Sequence, residues 1–399
     1  MHHSDNLTRM YAVGILAFVL FLSTLVGVPV LPALATELGA SDAGIPLVVS
    51  SALATIVVAQ FFTGPLADRY SRRRLILVGS LLGSVSSFLC AVATHWAQLA
   101  ALRVLGGVAD AVSMPALLAI TASLGTERPG KFFGILRGSQ GLSFVVGPVV
   151  GSAFSLIALR APFIADGVLS LLAFCAATVL LKDSGKARSQ HDWRMFRGIR
   201  SAFSDRNLGL FLLMGISGSF GFGILYSFVP TKSELLGLEA WQIGMILGGG
   251  ALVFSVTSYV VGTLSDRLGR KRFVVASQLA IVAGGVGIIF SDSFPGLAFF
   301  YCIFCIGETT TYLLSFVYAA EIFDKSHIGA GMGVFDSIVD LSLFVGPLLA
   351  ISIYEASHQM AAVFIIAVVP AILAFFVLSM RLSRSTREVT ARAAAPGRR

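Results

Sequence analysis

Charge is what this chain has least of. Asp, Glu, Lys and Arg make up 13% of its 399 residues, about half the roughly 25% of an ordinary soluble domain. With 56% of the residues apolar, a soluble fold of this length has too little interior to hide them, and lipid becomes the second solvent. Cysteine is also scarce. Cys90, Cys175, Cys302 and Cys305 all lie inside apolar stretches, which speaks against a disulfide framework. Cys302 and Cys305 form a CxxC, but no second Cys or His pair completes a zinc set, so no metal is expected. A phosphate-binding loop is missing, so ATP drive is not indicated. None of the six histidines stands with a Ser or Cys in a catalytic pattern. No enzyme and no cofactor are expected. The net charge of +8 sits in short loops between apolar runs, which points to a membrane rather than to nucleic acid. The first apolar run lacks a small-residue cleavage site and reads as a retained span.

What the chain does have is apolar runs near 20 residues, the length that crosses a bilayer as a helix. They fall at about 10–36, 44–65, 73–94, 97–123, 131–157 and 161–181, then at about 208–230, 242–264, 272–291, 296–322, 329–353 and 359–381. The sequence therefore predicts an all-α membrane protein of twelve transmembrane helices. Residues 1–181 would form one six-helix bundle and 208–382 another. A polar linker, 182–207, joins them, and a basic tail, 383–399, reads as disordered. Of the 29 Lys and Arg, 25 fall on the side that carries both termini. Two, Arg160 and Lys232, fall on the other, and Arg103 and Arg137 lie within helices. This asymmetry predicts cytoplasmic termini; the Ala- and Arg-rich style of the loops suggests a bacterial inner membrane.

The two halves repeat. GILRGSQGLSFVVGP at 134–148 matches GVFDSIVDLSLFVGP at 333–347, and GPLADRYSRRR at 64–74 matches GTLSDRLGRKR at 262–272. A duplicated six-helix unit predicts two pseudo-symmetric bundles with a site between them near the midplane.

The second repeat carries more than charge. It fixes Gly64, Asp68, Arg69 and Arg72 in one half and Gly262, Asp266, Arg267 and Arg270 in the other. A small residue allows close helix approach, and an acid at a helix end can meet a neighbouring helix N-terminus. This order resembles the cytoplasmic signature of the major facilitator superfamily, in both halves. In that family the loop is a charge latch that stabilises the outward-open state. The resemblance therefore implies gate roles for Asp68, Arg69, Arg72, Asp266 and Arg267. The fifth run, with Gly134, Gly138, Gly141, Gly147, Pro148 and Gly151, looks like the antiporter signature of the drug:proton exporters, which bends that helix at the domain interface. Gly147 and Pro148 are gate candidates on this ground, although Ser152 stands where a second glycine is common. The fourth run matches the family's helix-four signature at Arg103 and Gly107, with Gly106 where glutamine is usual and Ala109 where glycine is usual. In the family this arginine is linked to proton transfer. Pro29 and Pro32 near the end of the first run also resemble the exporters.

A charge at mid-bilayer costs about 2.5–3.5 kcal/mol even on insertion scales, so such residues persist when paired or facing water. Six are found: Arg103 and Asp110 on the fourth run, Arg137 on the fifth, Glu308 on the tenth, Asp336 and Asp340 on the eleventh. All lie on helices that line the family's cavity. Asp166, about one turn from the outer end of the sixth run, reads as interfacial. Asp336 occupies the repeat position of Arg137, where a structural ion pair is the competing reading. A carboxylate that is desolvated beside a movable cation can load and release a proton. Glu308 and Asp340 are the expected proton or substrate groups. Aromatic candidates for the cavity wall are Phe220, Phe222, Tyr226, Phe228, Tyr312 and Phe316.

The resemblance implies a monomeric secondary transporter with a small-molecule substrate and protons as partners. It would work by alternating access and would export its substrate in exchange for protons. The acid excess favours a cationic or zwitterionic substrate. The rival reading is a proton-coupled uptake symporter on the same fold.

Overall fold

A computed structural model describes residues 2–41, 44–181, 206–323 and 327–394. Among the described residues every regular element is helical, and twelve helical spans are long and apolar enough to cross a membrane. The first span is broken. α1 (His2–Val26) passes into a 3₁₀ turn at Val28–Val30 and then α2 (Leu31–Glu37). Pro29 and Pro32 fall at this joint; each lacks an N–H and clashes with the preceding turn, and the two within four residues break the helix here, whereas single prolines such as Pro65, Pro115 and Pro148 lie inside continuous helices. Spans two to seven are α3 (Gly44–Arg69), α4 (Arg72–Ala91), α5 (Trp96–Leu124), α6 (Pro129–Ser155), α7 (Ala161–Leu180) and α8 (Arg206–Leu235). Spans eight to twelve are α9 (Ala240–Leu268), α10 (Arg270–Ile289), α11 (Phe294–Ile322), α12 (Ile328–Ser357) and α13 (Met360–Ala394). Several helices begin with proline in the first turn, as α6, α7 and α11 do, where its missing N–H costs nothing. The 182–207 linker lies outside the described residues except for its last two. The tail differs from expectation: α13 stays helical to Ala394, through a stretch rich in Arg and Ala that favours helix.

The helices pack as two equivalent sets. In the first, α5 lies between α3 and α4, α1 packs on α6 and α7, and α4 packs on α7. In the second, α11 lies between α9 and α10, α8 packs on α12 and α13, and α10 packs on α13. Every pairing of the first set recurs at the repeat-related helices of the second. The sets meet along two main seams, α6 on α9 and α3 on α12, which are also repeat-related. Glycine makes these seams possible. Gly64 lies against the backbone of Gly329 and Gly333, while Gly130 and Gly134 lie against Gly262 and Ser258. A Cβ at Gly64 or Gly262 would meet the opposite backbone, so only glycine permits this approach. The outer surface is apolar, with Val179 and Phe290 about four-fifths exposed, as lipid-facing positions should be.

Both cations expected in far-side loops are tied down. Arg160 donates to the carbonyls of Ala91 and Ala93 at the end of α4, at 3.2 and 2.9 Å. Lys232 is not in a loop: it lies in the last turn of α8, is buried, and donates to the carbonyls of Ile288 and Ile289 at 2.6 and 2.9 Å. Each neutralises the negative end of a neighbouring helix.

Candidate functional site

The six intramembrane charges separate into two groups, one at the seam between the bundles and one inside the first bundle.

At the seam, Arg137 reaches from α6 towards α11 and α12. Its guanidinium lies over two neighbouring rings of α11, 4.6 Å from the Tyr312 centroid and 4.3 Å from that of Phe316. It donates to Gln140 Oε1 at 2.9 Å and to Asp336 Oδ1 at 3.3 Å. The ion pair is dry, with side chains 4% and 1% exposed. Arg137 and Asp336 are repeat-equivalent positions, so the pair joins the two halves where their pseudo-twofold axis passes. One arginine is shared among several acids. Asp340 lies one turn further along α12 and is partly buried; Glu308 is buried one turn before Tyr312 on α11, with the Thr309 hydroxyl 3.4 Å from it. The group of Arg137, Glu308, Asp336 and Asp340 therefore carries two acids in excess. Asp336 Oδ2 and Arg137 Nε have no hydrogen-bond partner among the described residues. Unpaired polar atoms at a helix seam mark a bond network that is incomplete in this arrangement. Tyr226 is not among the groups touching Arg137; it is 45% exposed and packs on the Phe222 ring.

Inside the first bundle, Arg103 and Asp110 of α5 line a small polar pocket with Asp166 of α7. The Thr24 hydroxyl is 3.3 Å from both Asp110 oxygens. Asp166 was expected at the interface, but it is 4% exposed and accepts from the Ser87 hydroxyl at 2.7 Å and that of Ser170 at 3.4 Å. The signal for this lay in α4, whose Ser80, Ser84, Ser86 and Ser87 are all buried; such a serine-rich face in a lipid-spanning helix needs polar partners.

The end of the molecule that carries the basic loops is latched twice, in matching ways. Asp68 at the end of α3 accepts from the N–H groups of Gly329 and Ala330 opening α12, both at 2.7 Å. Asp266 at the end of α9 accepts from Gly130 and Lys131 opening α6, at 3.0 and 2.9 Å. A carboxylate at a helix N-terminus satisfies free N–H groups and meets the positive end of the dipole. Of the expected gate cations, Arg72 faces Asp68 and donates to Ala119 O and Ser123 Oγ at the end of α5. Arg69 is exposed and lies over the Tyr70 ring, and Arg267 is exposed. Arg270, part of the repeated motif but not among the expected gate residues, serves the second latch: it pairs with Asp266 at 3.2 Å and with Glu321 of α11 at 2.7 Å. Gly147 packs against Leu25 of α1, inside its own bundle and away from the seam, and α6 runs unbroken through Pro148.

Comparison with known proteins agrees with this architecture. A profile described as the Major Facilitator Superfamily matches residues 13–307 and 236–398. The Quinolone resistance protein NorA of Staphylococcus aureus (strain MSSA476) is 24% identical over 351 residues, covering 85% of this chain and 88% of NorA. Multidrug resistance protein 1 of Bacillus subtilis (strain 168) is 28% identical over 257 residues, covering 63% of this chain and 65% of that protein. The crystal structure of the human organic anion transporter MFSD10 (TETRAN) matches with a TM-score of 0.79 at 19% identity, over 93% of this chain and 99% of that one. That last likeness is one of fold.

Proposed function

This chain belongs to the Major Facilitator Superfamily, and from that premise we propose that it exports a small cationic or zwitterionic molecule in exchange for protons. It is a multi-pass membrane transporter related to multidrug efflux proteins, and neither its fold nor its relatives are those of enzymes. The carrying observation is the seam group, where Glu308, Asp336 and Asp340 share the single cation Arg137. Two acids in excess at a helix interface are costly unless protons or a cationic substrate balance them. Protons and substrate would compete for the same carboxylates, which is the condition for exchange. The matching latches support a state closed at the basic end, which the charge asymmetry favours as the cytoplasmic side, and the Ala- and Arg-rich style of the loops supports a bacterial inner membrane. Residues 1–181 and 208–382 would rock as two units about the Arg137–Asp336 pair, in a single working chain.

The test is transport in liposomes under an imposed proton gradient. The probe is a fluorescent quinolone that carries both a basic amine and a carboxylate, chosen because of the NorA likeness. Wild type should move the quinolone against the proton flow, and Asp340→Asn should stop gradient-driven movement while the protein still purifies folded. Co-directional movement would favour the uptake symporter, and unaltered coupling in Asp340→Asn would remove the seam acids from the mechanism.

A further inference from the structure

The pocket inside the first bundle is separate from the seam, and its chemistry is unusual for a lipid-buried place. α5 gives it Arg103 and Asp110, α7 gives Asp166, α4 gives Cys90 and three serines, and α1 gives Ser23 and Thr24. Arg103, Asp110, Asp166 and Cys90 are the titratable groups facing it from these four helices. About 20 Å³ is open to water, enough for roughly one molecule, and the polar lining offers the several partners that a buried water needs. Arg103 is 8% exposed, and its buried Nε has no hydrogen-bond partner among the described residues. This unpartnered Nε beside a polar hollow points to an occupant that bonds with it. Charge limits what that occupant can be. With both carboxylates ionised and the thiol neutral, the pocket holds one negative charge too many, which excludes an anion. A single proton makes it neutral.

We propose that Asp110 and Asp166 hold one proton between them, across a water bonded to Arg103, as a proton site distinct from the acids at the seam. Two interacting carboxylates share such a proton as a pair rather than as separate sites. This inference rests on the proton-coupled reading, but its test reads the proton in the resting protein and not transport. Infrared difference spectra of the full-length protein in nanodiscs, recorded across a pH step, detect protonated carboxyl groups. In wild type the pocket should give one carboxyl band. Asp110→Asn and Asp166→Asn should each abolish that same band completely, because the remaining acid is then balanced by Arg103 and needs no proton. Any other pattern overturns the proposal, including separate bands lost one per variant, or a spectrum unchanged in either. Should Asp166→Asn fail to fold, Ser87→Ala reads the same site: loss of the 2.7 Å bond to Asp166 should move the band and keep its amplitude, and an unmoved band overturns the proposal. If the band behaves as expected while wild-type liposomes show no proton-driven transport, the pocket stands and the antiport reading falls.

Discussion

At the scale of single residues, the contacts that matter are those in which a buried charge has few partners. Arg137 and Asp336 are each other's counter-ion in a dry setting. Removing one side of such a pair leaves an uncompensated charge and costs about 3–5 kcal/mol, whereas replacing both with apolar side chains of similar volume is often neutral. Arg137→Met or Asp336→Leu alone should therefore lower the thermal midpoint in detergent sharply. The double variant should recover most of it and remain inactive in transport. Lys232 gives a second residue-scale prediction. Its ammonium holds two carbonyls at the end of α10, and charge-assisted bonds of this kind contribute about 1.5–3 kcal/mol each. Lys232→Met should destabilise the second bundle, seen as earlier unfolding by circular dichroism. Its role was hidden in the sequence, where it read as one of two stray cations in far-side loops. Asp166 was hidden for a related reason: distance from a helix end places a residue along the membrane normal but does not say whether it faces lipid, headgroups or a neighbouring helix. The seam charges were legible because no cheap position exists for them in hydrocarbon. Their division into two groups was not, since spacing along one helix says nothing of which partner helix it faces.

At the scale of helices, the apolar runs located every span, and the offset of the two repeats located the equivalent helices before any contact was known. The repeated Gly and Asp positions turned out to be one device: the glycine lets two helices touch, and the acid caps the helix it touches. The run at about 10–36 read as one span, and its break at Pro29 was not drawn from the sequence although two prolines within four residues disfavour a continuous helix. Nor was the helical path of α13 to Ala394, because a charged, apolar-poor segment carries little evidence between helix and coil. The close approach at the seams makes a prediction of its own. Gly64→Val or Gly262→Val should wedge α3 from α12 or α9 from α6 at the basic end without unfolding either bundle. Spin-label distances across that end should lengthen in the variants; distances matching wild type would show that the seams do not hold it shut.

At the scale of the whole molecule, two bundles related by a pseudo-twofold are held at one end by two matching carboxylate caps and at their axis by one ion pair. An acid at a helix N-terminus contributes about 0.3–1 kcal/mol, and up to about 2 when partly buried. Asp68→Asn and Asp266→Asn together should thus shift the balance of states by about tenfold or more towards opening at the basic end, readable in the same spin-label distances. The coupling itself is tested most directly by adding a quinolone to the purified protein in weakly buffered solution and counting protons with a pH indicator. Wild type is expected to release protons on binding, and Asp340→Asn to bind with that release reduced. Binding by wild type with no proton release, or equal release from Asp340→Asn, would contradict a shared site for proton and substrate at the bundle seam.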